Sequence, residues 1–556
     1  MALQTSSLQT AKYRFSEKRK EIFLAKNPLE EGGVHRAKTW EIAFYALNNT
    51  STNVYAMLMA SVSYFLVGIV GLLSVVAGTI ITTMRIWDGV TDPFVGMLVD
   101  NTNTKFGKNR PFIVLGQILL FTTSFCIFRF IPVMPTGIRF VAYIVLYMVY
   151  IVGYTFQCVV TKSAQTCITN DPEQRPLFSV FDSVYNVVLV SIFWPLYLSG
   201  SMVPDYTLNM AEHADTLNAL LAQSPSLANV IKDGVLSGLY NPMMWQNMQL
   251  TMGIVSAVFA ICGIIGISRK DNPKYYGLGK AVKVSFKDYA DVLAHNRGIQ
   301  MLVLAASSDK LATNCTSNAS VTMALYGIIL GNYAMSGSVS AITGVPVAIL
   351  GVLGIGMVAR KLGQKKCLEF GTWGSIISAL ILGAIIIFGK DGGFLLPTFK
   401  LTNLSTYSNL IKPENWSLVG ISFCIVYVLM KGFSTVAGSI VIPMTADCAD
   451  YEVYRSGRYV PGLLGTLFSF VDKLISSLAA TIVSVVYAFI GYTSTLPTQN
   501  DPYSTGIMVC TLVCFLGMPL IGWILNIVAM KYYPLSKEMM ASIQDEIARI
   551  KAEATK

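Results

Sequence analysis

Residues 85–96 read RIWDGVTDPFVG, and they interrupt apolar sequence on both sides. AMLMASVSYFLVGIVGLLSVVAGTIIT (56–82) precedes them and FIVLGQILLF (112–121) follows. Burying a charge at the centre of a bilayer costs roughly 2.5–3.5 kcal/mol on insertion scales. An arginine and two aspartates in such surroundings therefore point to a task. Asp88 and Asp92 are four residues apart, so on a helix they share one face, a turn apart. Thr91 lies beside them. Pro93 has no amide hydrogen, which leaves the Gly89 carbonyl without its helical donor. Two carboxylates, a hydroxyl and a carbonyl are the oxygen ligands that hard cations prefer. Arg85, one turn earlier, is placed to neutralise an acid when no cation is bound. A charge network that only pins helices is the alternative, but it needs no adjacent acids that repel each other.

The whole chain has membrane composition. Of 556 residues, 53% are hydrophobic and 13% charged, against about 25% charged in an average soluble domain. Spanning helices need about 20 apolar residues each. Twelve such stretches are expected, near 40–68, 72–98, 111–132, 138–168, 177–203, 244–268, 298–330, 333–359, 367–389, 416–446, 460–492 and 506–532. The fold expected is an all-α polytopic bundle. Ten cysteines are scattered without metal or disulfide spacing and read as inert thiols. The three histidines lie outside the spans, which argues against intramembrane histidine chemistry.

The basic balance concerns topology, not nucleic acid. The first 38 residues are polar, carry no apolar signal region and read as a cytoplasmic tail. With that tail inside, the segments on its side carry 30 of the 41 Lys and Arg, including KNR (108–110), RKDNPK (269–274) and RKLGQKK (360–366), and the opposite side carries few. Positive residues stay inside. Both termini are then cytoplasmic and the number of spans even.

The charged stretch 269–297 divides the chain into two halves of six spans, 40–268 and 298–532. GMLVDNTNTKFGKNRP (96–111) after the second span is echoed by GMVARKLGQKKCLEFG (356–371) after the eighth. Matching positions in each half favour a duplication, and paired halves with a site between them are a transporter design. Residues 1–39 and 533–556 are expected as cytoplasmic tails, the second amphipathic with Met540, Ile543, Ile547 and Ile550 on one face. Residues 204–243 form a long outer loop. Asn403 and Asn415 sit in N-x-S tripeptides on another outer loop.

R-x-x-D-x-x-x-D-P-x-x-G-x-x-x-D (85–100), followed by G-K-x-R-P (107–111), resembles the glycoside–pentoside–hexuronide:cation symporters, the family of the melibiose permease within the major facilitator superfamily. ADCADYEVYRSGRYVPG (446–462), eleven residues before Lys473, agrees, so the resemblance reaches both halves. It implies twelve helices in two pseudo-symmetric bundles. It implies that Asp88, Asp92, Thr91 and Thr155 bind the coupling cation, Na⁺ or alternatively H⁺ or Li⁺, with Arg85 and Lys473 as charge partners. No cofactor is implied.

The sugar-site match is poor. Thr52 and Cys158 stand where galactoside carriers have acids, and Lys162 where they have a stacking tryptophan. In this superfamily spans 1, 4, 7 and 10 line the cavity. The unusual polar residues fall there: NNTSTN (48–53), Gln157, Lys162 and Gln165, SSDKLATNCTSN (307–318) and Lys431. Lysines facing lipid are expensive, so they should face water or a partner. Asn48, Asn49, Thr52, Asn53, Cys158, Lys162, Asp309, Lys310, Asn314 and Lys431 are the candidate substrate contacts. Asp100, Arg110, Arg175, Asp447, Asp450 and Arg455, in loops at the cytoplasmic ends, are candidate gating residues.

The expected function is cation-coupled symport of a sugar or glycoside, including an acidic one such as a hexuronide, by a monomer in the cell (inner) membrane, in contact with lipid and not with nucleic acid. A lysophospholipid symporter of the same fold is the nearest alternative, and the polar lining argues against it. An intramembrane Mg²⁺-dependent prenyltransferase, using Asp88/Asp92 and Asp447/Asp450, is a second alternative. The repeat and the lack of an N-D-x-x-D pattern oppose it.

Overall fold

The computed structural model describes residues 36–102, 104–169, 176–272, 294–354, 358–389, 393–456, 471, 473–540 and 542–543. The tail 1–35, most of the central loop (273–293) and residues 544–556, with Ile547 and Ile550, lie outside them.

Apolar runs become helices because a helix satisfies every backbone polar group internally, which lipid cannot do. Nine helices among the described residues are long and apolar enough to cross a membrane: Thr39–Val70, Arg110–Val133, Thr136–Thr161, Val180–Asp205, Pro242–Ile267, Ala334–Gly351, Gln364–Gly389, Leu418–Val441 and Thr505–Tyr532. They take the places expected of spans 1, 3, 4, 5, 6, 8, 9, 10 and 12. The remaining places hold helices that are shorter or carry more charge among the described residues. Ser74–Asn101 is the second, carrying the charged stretch. Arg297–Thr316 with Ala319–Ile329 is the seventh, broken where the Asn318 side chain caps a new start by accepting from the Ser320 amide at 3.0 Å. Lys473–Ala488 is the described part of the eleventh.

One expectation is corrected. DCADYEVYR was read as part of a loop, but the tenth helix runs on from Leu418 to Ser456. Once a helix leaves the bilayer, charges no longer argue against its continuing. Arg455 and Glu452, three apart, pair at 2.8 Å on its last turns.

The halves repeat structurally. The first and seventh spans both turn to wider π-helix, at Leu66–Val70 and Met323–Ile329. The echoed loops share a glycine in the left-handed region, Gly107 at φ 98° and Gly363 at φ 88°. Side chains rarely take that conformation, so the sequence echo marks two equivalent turns.

The halves meet along two equivalent seams. The second span packs on the eleventh, and the fifth on the eighth. Small residues allow close approach, as in membrane interfaces generally. A Cβ on Gly78 would lie 2.7 Å from the Ala480 carbonyl oxygen, and one on Gly337 2.6 Å from that of Pro195. The Thr82 hydroxyl donates to the Ser477 carbonyl at 2.8 Å.

At the end of the bundle that carries the 204–243 loop, the halves are bolted together. That loop is a small folded cap. It has a helix, Met210–Gln223, and a two-stranded hairpin, Leu208–Asn209 with Val235–Leu236. Buried Arg139 anchors it, donating to the carbonyls of Ile69, Pro132, Met134 and Gln223 at 2.6–2.8 Å. From this cap Tyr240 and Lys232 reach the 491–501 turn of the other half. The Tyr240 hydroxyl donates to the Leu496 carbonyl at 3.1 Å and accepts from the Leu496 amide at 2.8 Å. Lys232 pairs with buried Asp501 at 2.8 Å and lies over the Tyr492 ring. Nearby, the Tyr64 hydroxyl donates to the Pro497 carbonyl at 2.7 Å and the Ser74 amide to that of Thr493 at 2.7 Å.

At the opposite, basic end, Asp271 closes the sixth span onto the third. It accepts from the Arg110 amide at 3.0 Å and faces its guanidinium at 3.4 Å. Beside it the Lys270 ammonium donates to the Arg36 carbonyl at 3.0 Å. Burial pulls the Lys270 pKa below the ordinary lysine value, with Glu41 opposing the shift. Ile543, at the start of the tail, is buried against the C-terminal half together with Met539 and Met540.

Candidate cation and substrate sites

The second span is a continuous helix through Pro93, so Asp88 and Asp92 do lie a turn apart on one face. The structure brings the expected cation ligands together. The Thr155 hydroxyl donates to Asp88 Oδ1 at 3.2 Å. Thr91 lies 3.3 Å from Thr155, hydroxyl to hydroxyl, and donates to the Asp88 carbonyl at 3.0 Å. Asp88, Thr91 and Thr155 are all buried.

Lys473 enters from the eleventh span. Its ammonium lies 2.5 Å from Asp92 Oδ2 and 3.2 Å from Asp88 Oδ2. It sits where a cation would sit, between the two acids, and belongs to the other half of the molecule. Asp472 lies outside the described residues. Arg85 acts at longer range. It is within electrostatic reach of Asp88 and of the phenols of Tyr147, Tyr150 and Tyr154. Among the described residues it makes no ion pair within 4.0 Å. The formal charges balance, two acids against one lysine and one arginine.

The candidate substrate residues of the first span are tied to neighbouring helices. Asn48 is fully buried and donates to the Thr161 hydroxyl at 2.8 Å. The buried Thr52 hydroxyl donates to the Asn48 carbonyl at 3.1 Å. Asn49 and Asn53 donate to Asp182 and Asn186 of the fifth span, each at 2.7 Å. On the fourth span, buried Gln157 donates to the Ile113 carbonyl at 2.8 Å. Cys158 is half-buried and lies against Tyr154. The Lys162 side chain lies outside the described residues.

In the C-terminal half, Asp309 and Lys431 line one narrow cleft with Thr313, Ser434 and Trp523. The Trp523 indole N–H donates to Asp309 Oδ1 at 3.0 Å. The Lys431 ammonium lies 5.8 Å from the Tyr427 ring centroid, near the outer range of cation–π attraction. Among the described residues Asp309 and Lys431 do not close to within 4.0 Å. Lys310 is exposed, and Asn314 donates to the Ser476 carbonyl at 3.2 Å.

Of the candidate gating residues, Arg110 meets Asp271 and Arg455 meets Glu452. Both ion pairs stay within one half. Asp447 is half-buried. Arg175 and the side chains of Asp100 and Asp450 lie outside the described residues. The sequence reading missed Asp182, Asp271, Glu452 and Trp523. Asp182 and Glu452 carried a usable signal, an acid in or beside an apolar run. Trp523 carried none.

Comparison with known proteins identifies the family and the fold. The family model described as "MFS/sugar transport protein" matches residues 41–537. An isoprimeverose transporter of Lactiplantibacillus pentosus is 21% identical over 92% of each chain. A glucuronide carrier protein homolog of Escherichia coli (strain K12) is 22% identical over 91% of this chain and 94% of its own. Among solved structures, the nucleoside transporter NupG superposes with a TM-score of 0.54 at 9% identity, covering 89% of this chain and all of its own. A bacterial homolog of the lysosomal transporter Spinster gives 0.53 at 12% identity, covering 92% of this chain and 99% of its own. The family match and these relatives define a multi-pass membrane transporter, not an enzyme. The chain belongs to the MFS/sugar transport protein family, within the melibiose-permease type of the major facilitator fold.

Proposed function

We propose that this protein is a cation-coupled symporter of a sugar or glycoside that works by alternating access. The observation that carries the reading is the position of Lys473, a cation supplied by one half inside an acid pair of the other. Two adjacent carboxylates need neutralising charge. With the site empty, Lys473 supplies it and ties the halves together. A cation bound among Asp88, Asp92, Thr91 and Thr155 replaces that charge. Lys473 is then released, and the halves are free to take the arrangement that receives substrate. Linkage requires that substrate raise cation affinity by the same factor. Na⁺ is the cation the oxygen ligands suit, with H⁺ or Li⁺ as alternatives.

The substrate proposed is a glycoside or sugar acid held between the halves, its carboxylate toward Lys431. The half-separated Asp309 and Lys431 favour this: an ammonium that no carboxylate contacts among the described residues can take one from a ligand. Both termini and the basic end belong on the cytoplasmic side of the cell membrane by the basic asymmetry, and the 204–243 cap outside.

The test is uptake into proteoliposomes. An inward Na⁺ gradient should concentrate at least one labelled methyl glycoside or glycosiduronate above equilibrium, and collapsing the gradient should release it. Uptake that stops at equilibrium for every cation would overturn the coupling.

A further inference from the structure

We propose that Asp182 of the fifth span is a substrate-binding carboxylate, which accepts hydroxyl groups of the glycoside in the N-terminal half of the cavity. The inference rests on the glycoside symport reading and names a contact that the sequence motifs do not contain.

Three observations carry it. The first is direction. Val180, Val184 and Val188 form an exposed apolar stripe along the fifth span, which suits lipid. At 3.6 residues per turn Asp182 and Asn186 lie roughly 160° round the helix from the middle of that stripe. They are half-buried and face the first span. A polar group left half-exposed on the side away from lipid should face water, since facing lipid would be costly.

The second is an unfilled hydrogen-bonding capacity. Asp182 Oδ1 accepts from Asn49 Nδ2 at 2.7 Å. Among the described residues, no ammonium or guanidinium lies within 4.0 Å of it. A carboxylate has about four lone-pair sites. The neutral amide of Asn49 uses one and does not neutralise the charge. If the pair served only to join two helices, a neutral amide pair would do it without stranding a charge. The next turn contains such a pair, Asn53 donating to Asn186 at 2.7 Å.

The third is the pattern. Asp182 and Asn186 are one turn apart, about 5.4 Å along the axis, the scale of one sugar ring. Asp182 is an acceptor, and the Asn186 amide group can donate. Hydroxyls both donate and accept, so neighbouring hydroxyls on a ring match this pair. A carboxylate would be repelled by Asp182. The seam therefore orients an acidic glycoside, with its hydroxyl face toward the fifth span and its acid toward Lys431.

The experiment uses the full chain in detergent with Na⁺, titrated with methyl glucoside, galactoside, xyloside and glucuronide. For whichever stabilises the protein most, the singly deoxygenated analogues follow. Asp182→Asn keeps the shape and the amide contact and removes the charge. It should leave the Na⁺-induced rise in Tm unchanged and weaken glycoside binding on the order of tenfold or more. At least one deoxy analogue should bind the wild type as weakly as the parent binds Asp182→Asn, and the variant should no longer distinguish those two compounds. Unchanged glycoside affinity, or unchanged discrimination between parent and every deoxy analogue, would overturn the assignment and leave Asp182 as a helix contact. If Asp182→Asn does not fold, Asp182→Glu, which moves the charge by one methylene, replaces it under the same readouts. A wild type that no glycoside of the panel stabilises would overturn the symport reading itself, and this inference with it. That outcome is distinct from a wild type that binds and a variant that binds equally well.

Discussion

The Lys473 ammonium lies 2.5 Å from Asp92, and the two residues belong to different halves of the molecule. Asp88 shares the same ammonium at 3.2 Å. On the proposed mechanism this bridge links cation binding to movement of one half against the other, with Lys473 competing with the cation for the acid pair. Lys473→Gln should therefore raise apparent cation affinity, by roughly tenfold if one charge-assisted contact of about 1.5 kcal/mol is removed. It should also uncouple, so that substrate equilibrates but does not accumulate. Na⁺-dependent thermal shift and gradient-driven uptake measure the two effects. A fall in cation affinity would show that Lys473 supports the site and does not compete for it.

The two acids should not be equivalent. The Asp88 side chain is 6% exposed and that of Asp92 35%. A charge in the drier position interacts more strongly with whatever neutralises it. Asp88→Asn should abolish the effect of Na⁺ on substrate affinity, while Asp92→Asn should leave a weakened remnant. Both should abolish uphill accumulation. Isothermal titration of substrate with and without Na⁺ gives the comparison, and a variant that still concentrates substrate with unchanged ion dependence refutes the site.

The acid pair of the candidate cation site was legible in the sequence because charge in a bilayer is costly and the spacing of Asp88, Asp92 and Pro93 is specific. Thr155 and Lys473, distant in the chain, came only through resemblance. The substrate side was far less legible. Composition marked the first span as polar, but Asn49 finds its partner 133 residues away, and no periodicity encodes that meeting. Asp182 carried a signal, an acid in an apolar run, but nothing in the sequence marks Asn49 as its partner. Glu452 and Arg455 were read into a loop, because charges signal the end of a span and not the end of a helix.

The cap over residues 204–243 should act as an outer latch. Tyr240→Phe leaves the Leu496 amide and carbonyl without their shared partner, a loss of about 1–3 kcal/mol for a buried group. Lys232→Gln removes the ion pair to Asp501. Both should weaken closure at this end without touching the acid pair. A cysteine placed by Ser74→Cys, buried in the seam, should then react faster with a membrane-impermeant maleimide added from outside. Equal rates in all backgrounds would show that the cap plays no part in closure.

Gly78 and Gly337 make the same prediction by a different route. A Cβ at either position would press on a backbone carbonyl of the opposite half, at 2.7 and 2.6 Å. Backbone cannot turn aside as a side chain can. Gly78→Val and Gly337→Val should fold, since each half keeps its own core, but should disfavour the arrangement in which these seams are closed. Uptake should fall by more than tenfold while the Na⁺-induced thermal shift persists. Loss of both together would mean that the seams stabilise the fold itself.

Lys431 is the residue on which the charge of the proposed substrate turns. Lys431 and Asp309 share a cleft without contact, and Trp523 already holds one oxygen of Asp309. That hydrogen bond holds Asp309 to the twelfth span, so Lys431 has the Tyr427 ring beside it and Asp309 only at longer range. Cation–π attraction replaces only part of the hydration an ammonium loses, so Lys431 gains more from a ligand carboxylate than a neutral residue could. Lys431→Gln should therefore weaken uptake of methyl glucuronide far more than that of methyl glucoside, by about tenfold or more for the loss of one charged hydrogen bond. Lys310→Gln, at an exposed position, should have a smaller effect of the same sign. Trp523→Phe should free Asp309 to approach Lys431 and so reduce the preference for the acidic glycoside without removing either charge. Competition against a single labelled tracer gives all these ratios. Equal losses for the acidic and neutral glycosides in Lys431→Gln, or a wild type that ignores acidic competitors, would show that the cleft holds an internal charge network and no substrate carboxylate.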